Sequence, residues 1–174
     1  MEPVASPVTP VSVGVRYGLL TGLVSTIFSF GLLVTETSQS PLRWLGLAIT
    51  VGGMVLAHNY FKQHNNGFMD YGQGLGIGTL MGGIGGLINT VFSYIYMNFI
   101  DPGYMGRIME ATRAQMEEKG TMSDEQIDQA MALAEKFSGG TMLLVFGVLG
   151  SVLFGFIIAL IVSAITKNSR PEFE

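Results

Sequence analysis

Along this chain long apolar stretches alternate with short polar ones, a pattern that predicts membrane-crossing helices. Val11 to Val34, Leu42 to Tyr60, Tyr71 to Phe99 and Thr141 to Ile165 carry almost no charge, and about 20 apolar residues suffice for a helix to cross the hydrocarbon core. The third run exceeds that length, so it is expected to tilt or to protrude past the hydrocarbon. A short loop with Glu36 and Pro41 joins the first two runs. Lys62 to Asp70, with His64, Asn65, Asn66 and Gly67, forms a polar turn before the third. The stretch before the last run has a periodicity of its own. Asp101 and Pro102 stand where an N-cap and a first helical residue belong, and Met105, Ile108, Met109, Thr112 and Met116 then share a face until Gly120. Ser123 and Gln126 have capping-box spacing, and Ile127, Ala130, Met131, Ala134 and Phe137 share a face before Gly139 and Gly140. The fold expected is all-α: a polytopic membrane protein of four transmembrane helices, with an amphipathic helical hairpin over residues 101–138 between spans three and four.

Small residues add a second pattern. Gly74, Gly78, Gly82 and Gly86 recur at every fourth position of span three and are continued by Thr90, which puts them nearly on one line of a helix. In water each interior glycine costs about 1 kcal/mol relative to alanine; in a bilayer close approach of backbones offsets the cost. Span four has the same period in Gly147, Ser151, Gly155, Ala159 and Ser163, and span one in Gly14, Gly18, Gly22 and Thr26. Spans three and four are therefore expected to pack along their seams in a right-handed crossing. Ser25-Thr26-Ile27-Phe28-Ser29-Phe30 also resembles Asn89-Thr90-Val91-Phe92-Ser93-Tyr94, and Tyr17-Gly18 echoes Tyr71-Gly72. Either a duplicated two-helix unit or chance likeness between membrane helices accounts for this.

Composition agrees with a membrane protein: 48% of residues are hydrophobic and 13% charged. Residues 1–174 are expected to form a single membrane domain. The tail with Pro3, Pro7 and Pro10 is expected to be extended or disordered. No lysine or arginine precedes Arg16, so the first run is read as an uncleaved span rather than a signal peptide. With no cysteine there are no disulfides, thiolate metal sites or cysteine nucleophile. The net charge of -4 gathers between Asp101 and Lys136, where eight acids face four bases, and it gives no reason to expect nucleic acid. Arg16, Lys62, Lys167 and Arg170 share one side of a four-span topology. The positive-inside rule then puts both termini in the cytoplasm and the hairpin in the periplasm.

Chemistry is sparse. The span interiors hold no ionisable group of the kind a pump or ion transporter uses. Their polar residues are Ser25, Thr26, Ser29, Thr50, Asn89, Thr90 and Ser93. Asn89 is expected to bond a neighbouring helix, with a ligand contact by Asn89 and Ser93 as the alternative. His58 and His64 are poorly spaced for a shared metal. Gly72-Gln73-Gly74 lacks the strand, helix start and later acid of a dinucleotide site. No catalytic residue, cofactor site or metal site is expected. Phe92, Tyr94, Tyr96, Phe99 and Tyr104 read as an interfacial aromatic belt, and the methionine face of the hairpin as a surface that docks on the bundle, the bilayer or a partner.

Several segments carry a family resemblance: Arg16-Tyr17-Gly18; Tyr60-Phe61-Lys62 through Phe68-Met69-Asp70-Tyr71-Gly72-Gln73-Gly74; Phe92-Ser93-Tyr94-Ile95-Tyr96 to Ile100-Asp101-Pro102; and the acidic hairpin. In their order and spacing they resemble domain-of-unknown-function family 4199, found mainly in Bacteroidetes. That resemblance implies a small four-span protein of the bacterial inner membrane with no assigned activity. Relatives encoded near polyprenyl-phosphate-type glycosyltransferases imply an accessory role in envelope biogenesis. The resulting expectation is a non-enzymatic accessory or scaffold subunit in contact with lipids and other membrane subunits. Its alternatives are binding or passage of a lipid or small neutral solute between the helices, and a homo-oligomer.

Overall fold

Each of the four apolar runs is a helix long and apolar enough to cross a membrane. The computed structural model describes residues 8–35, 41–138 and 140–170; Pro3, Pro7, Glu36 and Gly139 lie outside the described residues. Helix α1 spans Pro10–Val34. Helix α2 spans Trp44–Gln63, entered through a 3₁₀ turn at Pro41–Arg43. Helix α3 spans Tyr71–Ile95 and runs into a π-helical turn at Tyr96–Ile100. Two shorter helices, α4 (Tyr104–Lys119) and α5 (Asp124–Ser138), precede α6 (Gly140–Thr166). The chain is an all-α, multi-pass membrane protein. Only an isolated bridge between Met69 and Asn168 has extended pairing among the described residues.

Local chemistry sets the helix ends. Thr9 and Ser12 cap α1 reciprocally, with Pro10 in its first turn. Asn66 (φ 54°) and Gly67 (φ 83°) turn the chain between α2 and α3 in the left-handed region, which glycine and asparagine tolerate best. Gly120 ends α4 at φ 59°. The capping box opening α5 is formed: Ser123 N–H donates to Gln126 Oε1 at 2.9 Å, and Gln126 N–H to Ser123 Oγ at 3.4 Å. Asp101 departs from its expected role. Helix α4 begins at Tyr104, with Gly103 rather than Asp101 at the N-cap position, and the Asp101 carboxylate accepts from both terminal nitrogens of Arg107 in a forked, charge-assisted pair.

The described residues fall into two compact units: one comprises the chain up to Asn89 together with the part from Val148 onward, the other Thr90–Gly147. In the first, α3 has α1 on one face and α6 on another. The contacts are so close that a Cβ built on Gly22 would lie 2.7 Å from the Gly85 Cα, and one on Gly82 2.7 Å from the Gly155 Cα. Helix α2 completes this unit, its Met54 packing at Gly78 and its Gly53 against Thr21. Val13, Met54, Phe61, Met69 and Ile77 are among its buried core. Ile27 (70% exposed) and Ile165 (78%) face outward, as suits side chains meeting lipid.

The start of α1, the α2–α3 turn and the end of α6 come together at one end of this unit. Arg16 donates to the Tyr60 hydroxyl at 3.1 Å, Lys62 to the Thr166 carbonyl at 3.1 Å, and Met69 and Asn168 exchange backbone hydrogen bonds of 2.8 and 2.9 Å. In the second unit, Tyr96 is buried between the rings of Phe92 and Tyr104. Arg113 joins α4 to α5 through Asp128 at 2.7 Å while also holding Glu117 at 2.9 Å, and Ile127 is buried.

Candidate functional site

The first unit contains a cleft of about 290 Å³ within the membrane-spanning helices. Helix α1 lines it with Thr21, Gly22, Ser25 and Ser29, α2 with Gly46 and Thr50, α3 with Met81, Gly82, Gly85, Gly86 and Asn89, and α6 with Ser151, Phe154 and Gly155. Spacing of about four residues puts Thr21, Ser25 and Ser29 on one strip of α1, and glycines on α3 and α6 leave the space beside them unfilled. No wall residue is ionisable.

Hydrogen bonding divides the wall. Thr50 donates to the Gly46 carbonyl at 3.0 Å and Ser151 to the Val148 carbonyl at 2.8 Å, the back-bonding by which helical hydroxyls meet their own needs. The Ser25 hydroxyl is buried without a partner. The Asn89 amide lines the cleft, and no hydrogen bond satisfies it among the described residues. An amide has two donors and an acceptor oxygen, and a hydroxyl buried without a partner costs about 1–3 kcal/mol. The wall thus offers donors and acceptors to whatever occupies the cleft.

The glycines singled out in sequence stand close against neighbouring helices. A Cβ on Gly74 would come 2.8 Å from Ser163 Oγ, and one on Gly78 2.5 Å from the Ala159 Cβ. At Gly86 it would overlap the Ser151 side chain, and at Gly155 it would lie 2.6 Å from the Gly82 Cα. Gly147 meets Thr90, 2.7 Å from its Cγ2. Ser93 stands one turn beyond Asn89 on α3 and does not line the cleft. Sequence alone does not group Thr21, Ser25, Ser29 and Thr50 as a site. The periodic polar strip of α1 was a usable signal, whereas Thr50 joins it only through packing.

Both histidines are engaged separately. His58, fully buried on α2, places Nε2 3.0 Å from the Gly74 carbonyl and Nδ1 2.7 Å from Thr166 Oγ1. A carbonyl can only accept, so Nε2 carries the proton and donates to it. His64 Nδ1 lies 2.9 Å from the Tyr60 carbonyl. No group of three His, Cys, Asp or Glu side chains suited to a metal occurs among the described residues.

A family model described as a protein of unknown function (DUF4199) matches residues 16–168. The chain belongs to the DUF4199 family. No curated protein and no solved structure matches this DUF4199 protein. The matched residues include all four spans' cleft walls and the α4–α5 hairpin, so cleft and hairpin both fall within the family's extent. Neither the family nor the helical architecture gives any sign of catalytic activity.

Proposed function

We propose that this DUF4199 protein is a non-enzymatic membrane protein that holds a small neutral polar molecule, or the hydroxyl- and ester-bearing part of a neutral lipid, in its intramembrane cleft. The observation that carries this reading is the buried, unpartnered Ser25 hydroxyl on an uncharged wall that also presents the Asn89 amide. Size supports a small occupant, since about 290 Å³ lies at the lower edge of the roughly 300–1,000 Å³ typical of ligand sites. Polarity supports a neutral one, because a buried ion with no counter-charge is strongly disfavoured. Docking of partner subunits has less to stand on, as the small-residue seams of α1, α3 and α6 are covered by one another. We read the end bearing Arg16, Lys62, Lys167 and Arg170 as cytoplasmic, on the strength of those charges.

The test is binding of a monoacylglycerol and of glycerol to the full chain in lipid nanodiscs, followed by native mass spectrometry. Wild-type protein is expected to retain one of these probes, and Asn89→Ala to lose it. Because Asn89 bonds nothing within the described protein, its replacement should leave the melting temperature unchanged. Retention unaltered in Asn89→Ala, or no retention by wild type, refutes the reading.

A further inference from the structure

Charge of one sign collects where the start of α1, the α2–α3 turn and the end of α6 meet. Arg16, Lys62, Lys167 and Arg170 stand there, and Asp70 is the sole carboxylate of this unit among the described residues. The ion pairs Arg107–Asp101, Arg113–Glu117 and Arg113–Asp128 lie in the other unit. Glu172 and Glu174 follow in sequence, outside the described residues.

Arg16, Lys62 and Arg170 are held in place rather than loosely displayed. The Arg16 guanidinium lies 5.1 Å from the Tyr60 ring centroid and donates to its hydroxyl. Tyr60 is itself flanked by the rings of Tyr17, at 5.6 Å, and His64, at 4.2 Å. Asn168 is fixed by its two backbone bonds to Met69 and by its amide donating to the Gly67 carbonyl at 2.9 Å. That anchor sets Arg170 over the Phe68 ring at 5.5 Å.

The lysines and arginines have different work here. Lys62 and Lys167 sit at the carboxyl ends of α2 and α6, where the helix dipole is negative and cations are favourable; Lys62 already donates to an α6 terminal carbonyl. Arg16 and Arg170 have most of their five N–H donors unassigned, in the planar fork that matches a phosphate.

We propose that this end binds a phosphate group through Arg16 and Arg170, as carried by an anionic phospholipid headgroup or by free inorganic phosphate. Its position at the mouths of membrane helices suits the headgroup layer, where juxtamembrane cations attract anionic lipid. The site is separate from the cleft, which contains none of these residues.

The experiment uses the full chain in nanodiscs of equal phosphatidylglycerol and phosphatidylcholine, with the lipids that stay bound after detergent exchange counted by native mass spectrometry. A second arm titrates inorganic phosphate into phosphatidylcholine nanodiscs and follows thermal stability. Enrichment of phosphatidylglycerol on the order of tenfold, lost in Arg16→Gln/Arg170→Gln and in wild type at high salt, supports the site and assigns it to the headgroup. Stabilisation by inorganic phosphate, absent in that double variant, supports it with a soluble source. Should the glutamine variant not fold, Arg16→Lys/Arg170→Lys keeps the charge without the fork and should show weakened, salt-sensitive enrichment. Equal retention of both lipids by wild type with no response to phosphate overturns the proposal, as does enrichment that survives in the folded double variant.

Discussion

The α3–α6 crossing makes a demanding prediction at Gly82. A methyl group there would sit 2.7 Å from the Gly155 Cα and 3.0 Å from the Ser151 carbonyl oxygen. Carbon atoms pack at about 3.5–4.0 Å, and both obstacles are backbone, so no side chain can rotate away. The helices must part by about 1 Å locally, and overpacking of this kind costs about 1–3 kcal/mol. Alanine also gains up to about 1 kcal/mol over glycine in helix propensity, which would mask part of the loss. Gly76 supplies the control: it lies on the same helix with nothing within 4 Å of a built Cβ. Gly76→Ala therefore carries the propensity gain alone, and Gly82→Ala should be less stable than it by about 1–3 kcal/mol. Reversible unfolding in mixed micelles, with increasing SDS, measures the difference. A difference below about 0.5 kcal/mol, the scale of unremarkable substitutions, would refute the seam as the close contact that holds α3 to α6. Gly82→Ala/Gly155→Ala should cost less than the sum of its parts, since either methyl already opens the same crossing.

Three further outcomes are expected. His58→Ala removes the ring that joins α2 to the Gly74 carbonyl of α3 and the Thr166 hydroxyl of α6; it should destabilise the protein by about 2–4 kcal/mol in the same unfolding assay, with partial recovery in His58→Gln. Gly120→Ala forces a Cβ into the left-handed region at φ 59° and should loosen the α4–α5 hairpin by about 1–2 kcal/mol, seen as faster amide exchange around Gly120 with the α1–α3 seam unchanged. The Arg107 guanidinium beside Asp101 holds its carboxyl below the ordinary value of 3.8. The pair's contribution is therefore complete above that pH and is lost as the pH falls through the lower folded-state value. A carboxyl NMR titration should show Asp101 returning toward its ordinary value in Arg107→Ala, and an unchanged titration would count against the pairing.

Much of this protein is local and could be read one stretch at a time. The spans follow from hydropathy, because a helix that crosses lipid must satisfy its own backbone whatever its neighbours do. The capping box at Ser123 and Gln126 and the stop at Gly120 are likewise local, each completed within one turn of chain. Asp101 shows where local reading slips: the helix starts at Tyr104, two residues later than the position of Pro102 suggests, and the carboxylate pairs with Arg107 one turn into it.

The likeness between α1 and α3 lies between the two kinds of information. Sliding α1 onto α3 so that Ser25 meets Asn89 also brings Gly14, Gly18 and Gly22 onto Gly78, Gly82 and Gly86. Yet the two ladders serve different contacts, that of α1 meeting α3 and that of α3 meeting α6. The sequence by itself determined the helices, their small-residue faces and the polarity of each position. Tertiary packing alone decided which faces meet, that Thr50 and Ser151 stand beside Ser25 and Asn89, and that His58 bridges three helices. These relations depend on the relative rotation and depth of separate helices, which a four-residue period leaves free and only the closest backbone contacts select.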